Sequence, residues 1–225
     1  MSSQGKGHSM ILYGSTLSPF VRKVMVFAGE KGIELELKPT GLPNPEPEFC
    51  AASPFRKMPA LVDGDYGLAD SSAIVQYLEA KVPEPALIPA EARARGRTIW
   101  FEEFADTILF ACGGKMFFNR IVSPLFFKRP GDEAVAEAAQ REELPPILDY
   151  LETLVPDAGG YLVGDGLTLA DIAVAGPFAN FRHLGIDIGD HPRTAAYVER
   201  MLARPSFSQW VEREAAMLAK IREAA

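Results

Sequence analysis

Cysteine and histidine are scarce in this chain of 225 residues, which has two of the first and three of the second. Cys50 and Cys112 are far apart and form no CxxC motif, so we expect two structural thiols in a reducing cytoplasm. The histidines, His8, His183 and His191, show no metal-ligand spacing. No metal site is therefore expected.

Long apolar runs and an excess of basic residues are also absent. No apolar run approaches the ~20 residues that a membrane-spanning helix needs. Lys and Arg number 23 against 30 Asp and Glu, which gives a net charge of −7 at pH 7. Because phosphate neutralisation supplies most non-specific affinity for nucleic acid, neither nucleic acid nor a membrane surface is an expected partner. The first ten residues lack the apolar core of a secretory signal, so residues 1–9 are predicted to be a flexible leader.

Short strands and short helices alternate in the first eighty residues, in a composition typical of globular proteins (48% hydrophobic, 24% charged). Four segments have the apolar or alternating pattern of strands: 10–14, 33–37, 60–62 and 66–69. Two segments have helical spacing: 18–31 and 71–81. Asp63-Gly64 favours a tight turn between the last two strands. The pattern predicts a β-α-β unit followed by β-β-α, in a domain over residues 10–82.

The rest of the chain shows helical spacing and no convincing strand. Residues 83–89 contain three prolines and are predicted to be a linker. Five segments have apolar residues at helical intervals: 90–112, 133–154, 169–184, 193–204 and 207–225. Pro145-Pro146 predicts a kink or break in the second of them. Residues 90–225 are therefore predicted to form an all-helical domain.

Four segments in this order and separation resemble the cytosolic glutathione S-transferase family, over nearly the whole chain. They are Ser18-Pro-Phe-Val-Arg22, Arg56-Lys-Met-Pro-Ala-Leu61, Leu68-Ala-Asp-Ser-Ser-Ala-Ile74 and Leu167-Thr-Leu-Ala-Asp-Ile-Ala173. The first resembles the serine-type classes, and the tau-like classes most. The resemblance implies a thioredoxin-like N-terminal domain followed by an α-helical C-terminal domain, the glutathione S-transferase fold. It also implies glutathione as co-substrate, no metal, and a homodimer with candidate interface faces on the helices from Ser71 and Ala90.

Ser18 lies where a strand ends and a helix begins. A serine there commonly caps the helix with its hydroxyl, while a helix N-terminus also favours a bound anion. The resemblance implies that Ser18 is catalytic and donates a hydrogen bond to the thiolate of glutathione. Lowering the pKa of a free thiol, ~8.5, by two units requires about 2.7 kcal/mol of preferential thiolate stabilisation. Ser15, Thr16 and Tyr13 remain alternatives for the contact with sulfur, although Tyr13 is expected to pack in the strand.

The second segment implies a binding edge for the glutathione backbone. Met58-Pro59 matches the cis pair of the family, which would turn the main chain of Met58 outward to pair with the cysteinyl unit like an added strand. A trans proline that starts an ordinary strand is the alternative. Lys57 would reach the glycine carboxylate of glutathione, with Arg56 as a helper.

The third and fourth segments have different implied roles. Ser71 would bind the γ-glutamyl carboxylate at a helix start, and Asp70, where the family more often has Glu, would accept a hydrogen bond from the γ-glutamyl ammonium. A plain N-cap at either residue is the alternative, and both roles can coexist. Thr168 and Asp171 resemble a capping box, to which we assign a structural role.

Aromatic residues are dense around Gly113-Gly114, at Phe110, Phe117, Phe118 and Phe126-Phe127. Aromatics at helical spacing more often pack in a core, but their density near an expected glycine break favours an apolar pocket for a second substrate. Phe110 and Phe117 are the candidate residues.

The implied function is therefore a glutathione transferase that adds the thiolate to a small apolar electrophile, as in detoxification. The alternatives are a glutathione-dependent isomerase, dehalogenase or peroxidase on the same fold, or a non-catalytic binding module.

Overall fold

Two units of different architecture make up the chain, and they divide between Pro85 and Ala86 in the computed structural model. The structure describes residues 9–40, 45–156 and 159–223. Residues 1–8 of the predicted leader, and the last two residues of the helix predicted over 207–225, lie outside the described residues. None of the helices in the described ranges is long and apolar enough to cross a membrane.

The first unit has a four-stranded sheet and three helices, of which the first and third pack against each other. Its elements are β1 Met10–Tyr13, α1 Pro19–Glu30, β2 Leu35–Lys38, α2 Pro47–Ala52, β3 Ala60–Asp63, β4 Tyr66–Ala69 and α3 Ser71–Lys81. The strand order is β2-β1-β3-β4, where β1 is parallel to β2 and antiparallel to β3, and β3 is antiparallel to β4. Leu12 and Leu61 face each other in the register and are fully buried, as are Val24 of α1 and Ile74 of α3. This mixed sheet confirms the predicted thioredoxin-like fold class.

Two local features of this unit differ from the sequence-based prediction. β2 begins at Leu35 rather than Ile33, because Ile33 closes the end of α1 by donating its amide to the Ala28 carbonyl at 2.8 Å. Gly32 makes that closure feasible with φ of +68°, a conformation that glycine adopts without steric cost. The short helix α2 was not predicted at all, since six residues are too few to show a helical period.

Helices are the regular secondary structure of the second unit, and its described residues contain no strand, as the sequence predicted. Its helices are α4 Ala92–Glu103, α5 Phe110–Phe117, α6 Glu133–Ala138, α7 Leu144–Leu154, α8 Leu169–Leu184, α9 Pro192–Leu202 and α10 Pro205–Glu223. Three π-helical stretches continue or join them: Phe104–Leu109, Phe118–Phe126 and Ala139–Glu143. The break expected at Pro145-Pro146 corresponds to the start of α7, whose first positions tolerate proline.

The glycine break expected at Gly113-Gly114 is wrong, because both residues lie inside α5. A Cβ at Gly113 would lie only 2.7 Å from the ring of Phe181 in α8. Gly113 therefore allows two helices to approach closely and does not end a helix.

α8 is buried on nearly every side and begins at the predicted capping box. The Asp171 carboxylate is fully buried and accepts hydrogen bonds from the amides of Leu162 and Thr168, both at 2.9 Å. It also accepts from the Thr168 hydroxyl at 3.1 Å and from the Tyr197 hydroxyl at 2.8 Å. Burial, followed by the nearby Asp171 charge, raises the pKa of Tyr197 well above its ordinary value. Asp171 thus stabilises three chain segments around one carboxylate, in agreement with its assigned structural role.

Replacing Asp171 by alanine should lower the free energy of unfolding by about 4 kcal/mol, because four hydrogen-bond donors would lose their acceptor. Urea denaturation followed by circular dichroism measures this loss. Tyr197→Phe removes one donor and leaves the carboxylate bound to the other three, so it should cost only about 1 kcal/mol. Equal losses in the two variants would contradict the role given to Asp171.

Candidate functional site

The sheet register brings the three predicted glutathione-contact segments of the first unit to one edge. A single row of paired residues crosses the sheet there: Lys38, Tyr13, Ala60 and Ala69. Ser18 follows β1 after a short loop, Met58-Pro59 directly precede β3, and Asp70-Ser71 directly follow β4. Since neighbouring strands lie ~4.8 Å apart, the segments beside β1, β3 and β4 start within about 10 Å of one another.

The loop from β1 to α1 is fixed by close packing and by its own hydrogen bonds. Gly14 has φ of +150°, and a Cβ there would lie 2.6 Å from Cγ2 of Val21. The Gly14 amide donates to the Lys38 carbonyl at 3.0 Å, and the Ser18 amide donates to the Ser15 carbonyl at 2.9 Å. Gly14 is therefore required where the strand turns toward the residue that starts α1.

Ser18 occupies the N-cap position of α1 with an extended backbone, and its side chain is half-buried. Within the described part of the chain, its hydroxyl makes no capping hydrogen bond with the first turn of the helix. The carbonyl of Ser18 accepts from the Arg22 amide at 3.0 Å, so the backbone alone begins the helix. The plain capping role, which the sequence left open, is not the role of this hydroxyl.

The alternatives to Ser18 occupy different environments. Tyr13 is 3% exposed, and its ring packs against Phe49 with centroids 6.1 Å apart. Burial, followed by the charge of Glu48, raises the pKa of Tyr13 above its ordinary value. Tyr13 thus packs in the strand, as its position predicts. Thr16 is buried and Ser15 is half-buried.

The segment before β3 is partly exposed. The Met58-Pro59 peptide bond is cis, so the trans alternative is wrong. Lys57 is exposed and Met58 is half-buried. The Ser53 hydroxyl accepts from the Lys57 amide at 3.0 Å and donates to the Lys57 carbonyl at 2.7 Å. No sequence motif pointed to Ser53, because a serine between a helix and a proline resembles any loop serine.

Asp70 caps α3, and Ser71 is buried at its first position. Oδ1 of Asp70 accepts from the amides of Ser72 at 2.9 Å and Ala73 at 3.3 Å. The backbone of Asp70 has φ of +78°, which few residues other than glycine adopt. The carboxylate is exposed, so capping through Oδ1 leaves Oδ2 accessible to a ligand.

Two consecutive cations in α1, Arg22 and Lys23, are buried although the sequence gave no sign of it. The Lys23 ammonium lies 3.4 Å from the Ser72 hydroxyl in the first turn of α3. The apolar spacing of α1 predicts one buried face, whereas the helix is buried on most sides. Both residues lie about one helical turn beyond Ser18.

The aromatic candidates of the second unit separate into buried and exposed side chains. Phe117 is 6% exposed and belongs to the core, whereas Phe110 is half-buried. Phe118 is 48% exposed, and its ring lies 6.1 Å from that of Phe127. Phe118, which directly follows Phe117, and Phe127 are therefore among the exposed rings of this region.

The two histidines in the described ranges each lie beside a carboxylate. His183 lies 2.8 Å from Glu214, and His191 lies 2.9 Å from Asp149. Cys50 and Cys112 are free thiols, and burial raises the pKa of Cys112 to about 11. The described ranges contain no group of three or more His, Cys, Asp or Glu residues that could hold a metal ion.

Comparison with known proteins gives matches over both units. The family described as the glutathione S-transferase N-terminal domain matches residues 12–86, and that described as the C-terminal domain matches residues 117–214. Glutathione S-transferase 3 of Zea mays is 34% identical over 209 residues, which are 89% of this chain and 92% of the relative. The chain belongs to the glutathione S-transferase family.

Solved glutathione S-transferase structures agree with this assignment. The apo form of glutathione S-transferase III is 31% identical with a TM-score of 0.77, over 91% of this chain and 96% of that one. A glutathione S-transferase of Rhodospirillum rubrum is 27% identical with a TM-score of 0.81, over 89% of this chain and 91% of the other. The family and fold class predicted from the four sequence segments are thereby confirmed.

Alanine substitutions of Ser18 and Asp70, the residues at the two helix starts of this edge, should differ in their effect on stability. Ser18→Ala should change the free energy of unfolding by less than about 0.5 kcal/mol, because its hydroxyl makes no capping bond, whereas Asp70→Ala should cost about 1 to 2 kcal/mol. Urea denaturation checks both values. Asp70→Asn, which keeps a capping oxygen, should resemble the parent. A Ser18→Ala loss as large as that of Asp70→Ala would mean that Ser18 caps its helix.

Proposed function

We propose that this glutathione S-transferase ionises the thiol of glutathione at Ser18 and transfers the sulfur to a small apolar electrophile. The observation that carries the proposal is the Ser18 hydroxyl, which stands at the N-terminus of α1 and makes no capping bond within the described residues. A hydroxyl left out of the helix cap can donate to a thiolate. No covalent attack by Ser18 is required.

The electrostatics of the helix start favour this role. A helix N-terminus carries about half a positive charge, and it adds to the hydrogen bond from the hydroxyl. Lowering the pKa of a thiol from ~8.5 to ~6.5 needs about 2.7 kcal/mol, which these two contributions can supply together. A thiolate held beside an electrophile then reacts with the advantage of proximity and desolvation.

The rest of glutathione would lie along the edge of the sheet. Its cysteinyl unit pairs with the main chain of Met58, its glycine carboxylate meets Lys57, and its γ-glutamyl group meets Asp70 and Ser71. An extended tripeptide is about 10 Å long, which matches the distance across the strands that carry these segments. The exposed Asp70 carboxylate and the buried Ser71 at the start of α3 support the γ-glutamyl assignment.

We assign the apolar body of the electrophile to aromatic side chains of the second unit. Phe110 and Phe117 are the sequence-based candidates, and the half-buried position of Phe110 supports its role. The burial of Phe117 favours core packing, so the exposed Phe118 beside it is the better second candidate. An aromatic or other apolar electrophile fits such rings best.

The biological setting and the assembly are part of the same proposal. Two unpaired thiols suit a reducing cytoplasm, where conjugation of apolar electrophiles is a detoxification reaction. Exposed apolar side chains support a homodimer: Phe55 and Tyr66 in the first unit, and Trp100 and Ile108 in the second. Phe55, at 88% exposed, is the strongest candidate anchor for a second copy.

Ser18→Ala should raise the pKa of bound glutathione from ~6.5 toward ~8.5 and lower kcat/KM at neutral pH by about a hundredfold, because one preorganised donor is lost. The pH dependence of conjugation to an activated aryl halide, and the ultraviolet absorbance of the bound thiolate, measure these changes. The affinity for glutathione should change much less than the rate.

Tyr13→Phe and Ser15→Ala are the controls and should stay within about threefold of the parent, since neither donates the proposed bond. If Ser15→Ala lowers kcat/KM strongly while Ser18→Ala resembles the parent, the assignment of the sulfur contact to Ser18 is wrong. Glutathione binding without turnover of any electrophile would favour the non-catalytic module instead.

Phe55→Ser should raise the dissociation constant of the homodimer by about thirtyfold, the equivalent of ~2 kcal/mol, because an anchoring ring is lost. Sedimentation velocity over a range of concentrations measures it. Phe127→Ser removes another exposed ring, outside the proposed contact, and should leave the dimer intact. An unchanged Phe55→Ser dimer, or a monomeric parent, would contradict this part of the proposal.

A further inference from the structure

Ser53 connects the end of α2 to the segment that precedes β3. Its amide donates to the Phe49 carbonyl at 2.7 Å and so ends the helix. Its carbonyl accepts from the Arg56 amide at 2.8 Å, and its hydroxyl bonds both the amide and the carbonyl of Lys57. The residue is 2% exposed. One buried serine therefore holds the chain on both sides of a tight loop.

The loop that Ser53 closes contains an unfavourable backbone conformation. Arg56 has φ of +54°, a left-handed conformation that costs a residue with a Cβ about 1 kcal/mol or more. Such conformations persist where the surrounding contacts determine them. The three hydrogen bonds from Ser53 to Arg56 and Lys57 are the contacts that do so in this loop.

The hydrogen bonds of Ser53 hold the residue directly before Met58, whose main chain is proposed to bind glutathione. Both backbone polar groups of Lys57 point to the Ser53 hydroxyl, and Met58 is the next residue. Fixing the Lys57 peptide groups fixes the direction in which the chain enters Met58. In the described part of the chain, the Met58 amide and carbonyl have no hydrogen-bond partner. Both groups are therefore available to pair with the main chain of a ligand.

We infer that Ser53 is a positioning residue of the cysteinyl subsite, which aligns the main chain of Met58 so that the sulfur of glutathione meets Ser18. This inference rests on the proposed function, because it assumes that glutathione pairs with Met58. Ser53 does not touch the substrate. It acts through Lys57 and Met58, so its loss displaces the sulfur without removing any group that binds it.

The test compares Ser53→Thr, which keeps the hydroxyl, with Ser53→Val, which has the same shape and lacks it. Ser53→Val should raise the Kd for glutathione about tenfold and lower kcat/KM about a hundredfold, because the sulfur is misplaced relative to its donor. The pKa of bound glutathione should rise by about one unit. Ser53→Thr should stay within about threefold of the parent in Kd and kcat/KM, because the hydroxyl is kept. Ser53→Ala serves as a second variant without the hydroxyl if the valine does not fold.

Ser123→Ala is the matched control, because Ser123 is also a buried serine whose hydroxyl bonds loop carbonyls, those of Arg129 at 3.1 Å and Pro130 at 3.2 Å. It should lower stability and leave both the Kd for glutathione and the pKa of the bound thiol as in the parent. The pKa of the bound thiol is the decisive measurement, since a purely structural residue would not move it.

The outcomes separate the inference from the proposed function. If Ser53→Val and Ser53→Ala lose stability while the Kd for glutathione and the pKa of the bound thiol match the parent, the inference is wrong and the proposed function stands. If Ser53→Thr is impaired as severely as Ser53→Val, the hydroxyl is not the cause and the inference is also wrong. If the parent itself does not bind glutathione, the proposed function fails and the inference fails with it.

Discussion

The pairing of β1 with a strand on each side is the constraint on which the site depends. Tyr13, the last residue of β1, pairs with Lys38 at the end of one neighbour and with Ala60 at the start of the other. Ala60 pairs in turn with Ala69 at the end of β4. A shift of one residue in this register would reverse the faces of the strand and move Ser18 away from Met58. The pairing of these four residues in one row across the sheet therefore brings the three proposed glutathione-contact segments to the same edge.

The two helices that start at this edge use their N-termini in different ways. At α3 the Asp70 side chain satisfies two amides of the first turn, so the helix carries its own cap. At α1 the Ser18 side chain makes no such bond within the described residues, and Pro19 brings no amide to satisfy. The start of α1 has a hydroxyl outside the cap and a dipole that no capping side chain reduces, so it suits an anionic sulfur. The start of α3 is capped by an exposed carboxylate, so it suits the γ-glutamyl group, which carries both charges.

Much of this arrangement could be predicted from the sequence, because strongly periodic segments and local motifs carry their own signals. The helix from Ser71 and the helix from Leu169 have the predicted bounds, and Asp171 has its predicted capping role. Gly113 was misjudged because a sequence does not show that Phe181 packs against it. The burial of Lys23 was missed for the same kind of reason, since a helical period shows the most apolar face and not what covers the others. Contacts between distant residues decide such positions.

The role of Ser53 shows how a residue outside every motif can still determine a site. A ligand that binds through main-chain atoms gains its specificity from where those atoms lie, not from side-chain chemistry. Met58 can accordingly carry a side chain of little consequence, provided that its peptide groups keep their direction. That direction is set one residue earlier, at Lys57, whose amide and carbonyl are both bound by the Ser53 hydroxyl. In such a site the residue that touches the ligand is replaceable, and the buried residue that holds its backbone is not.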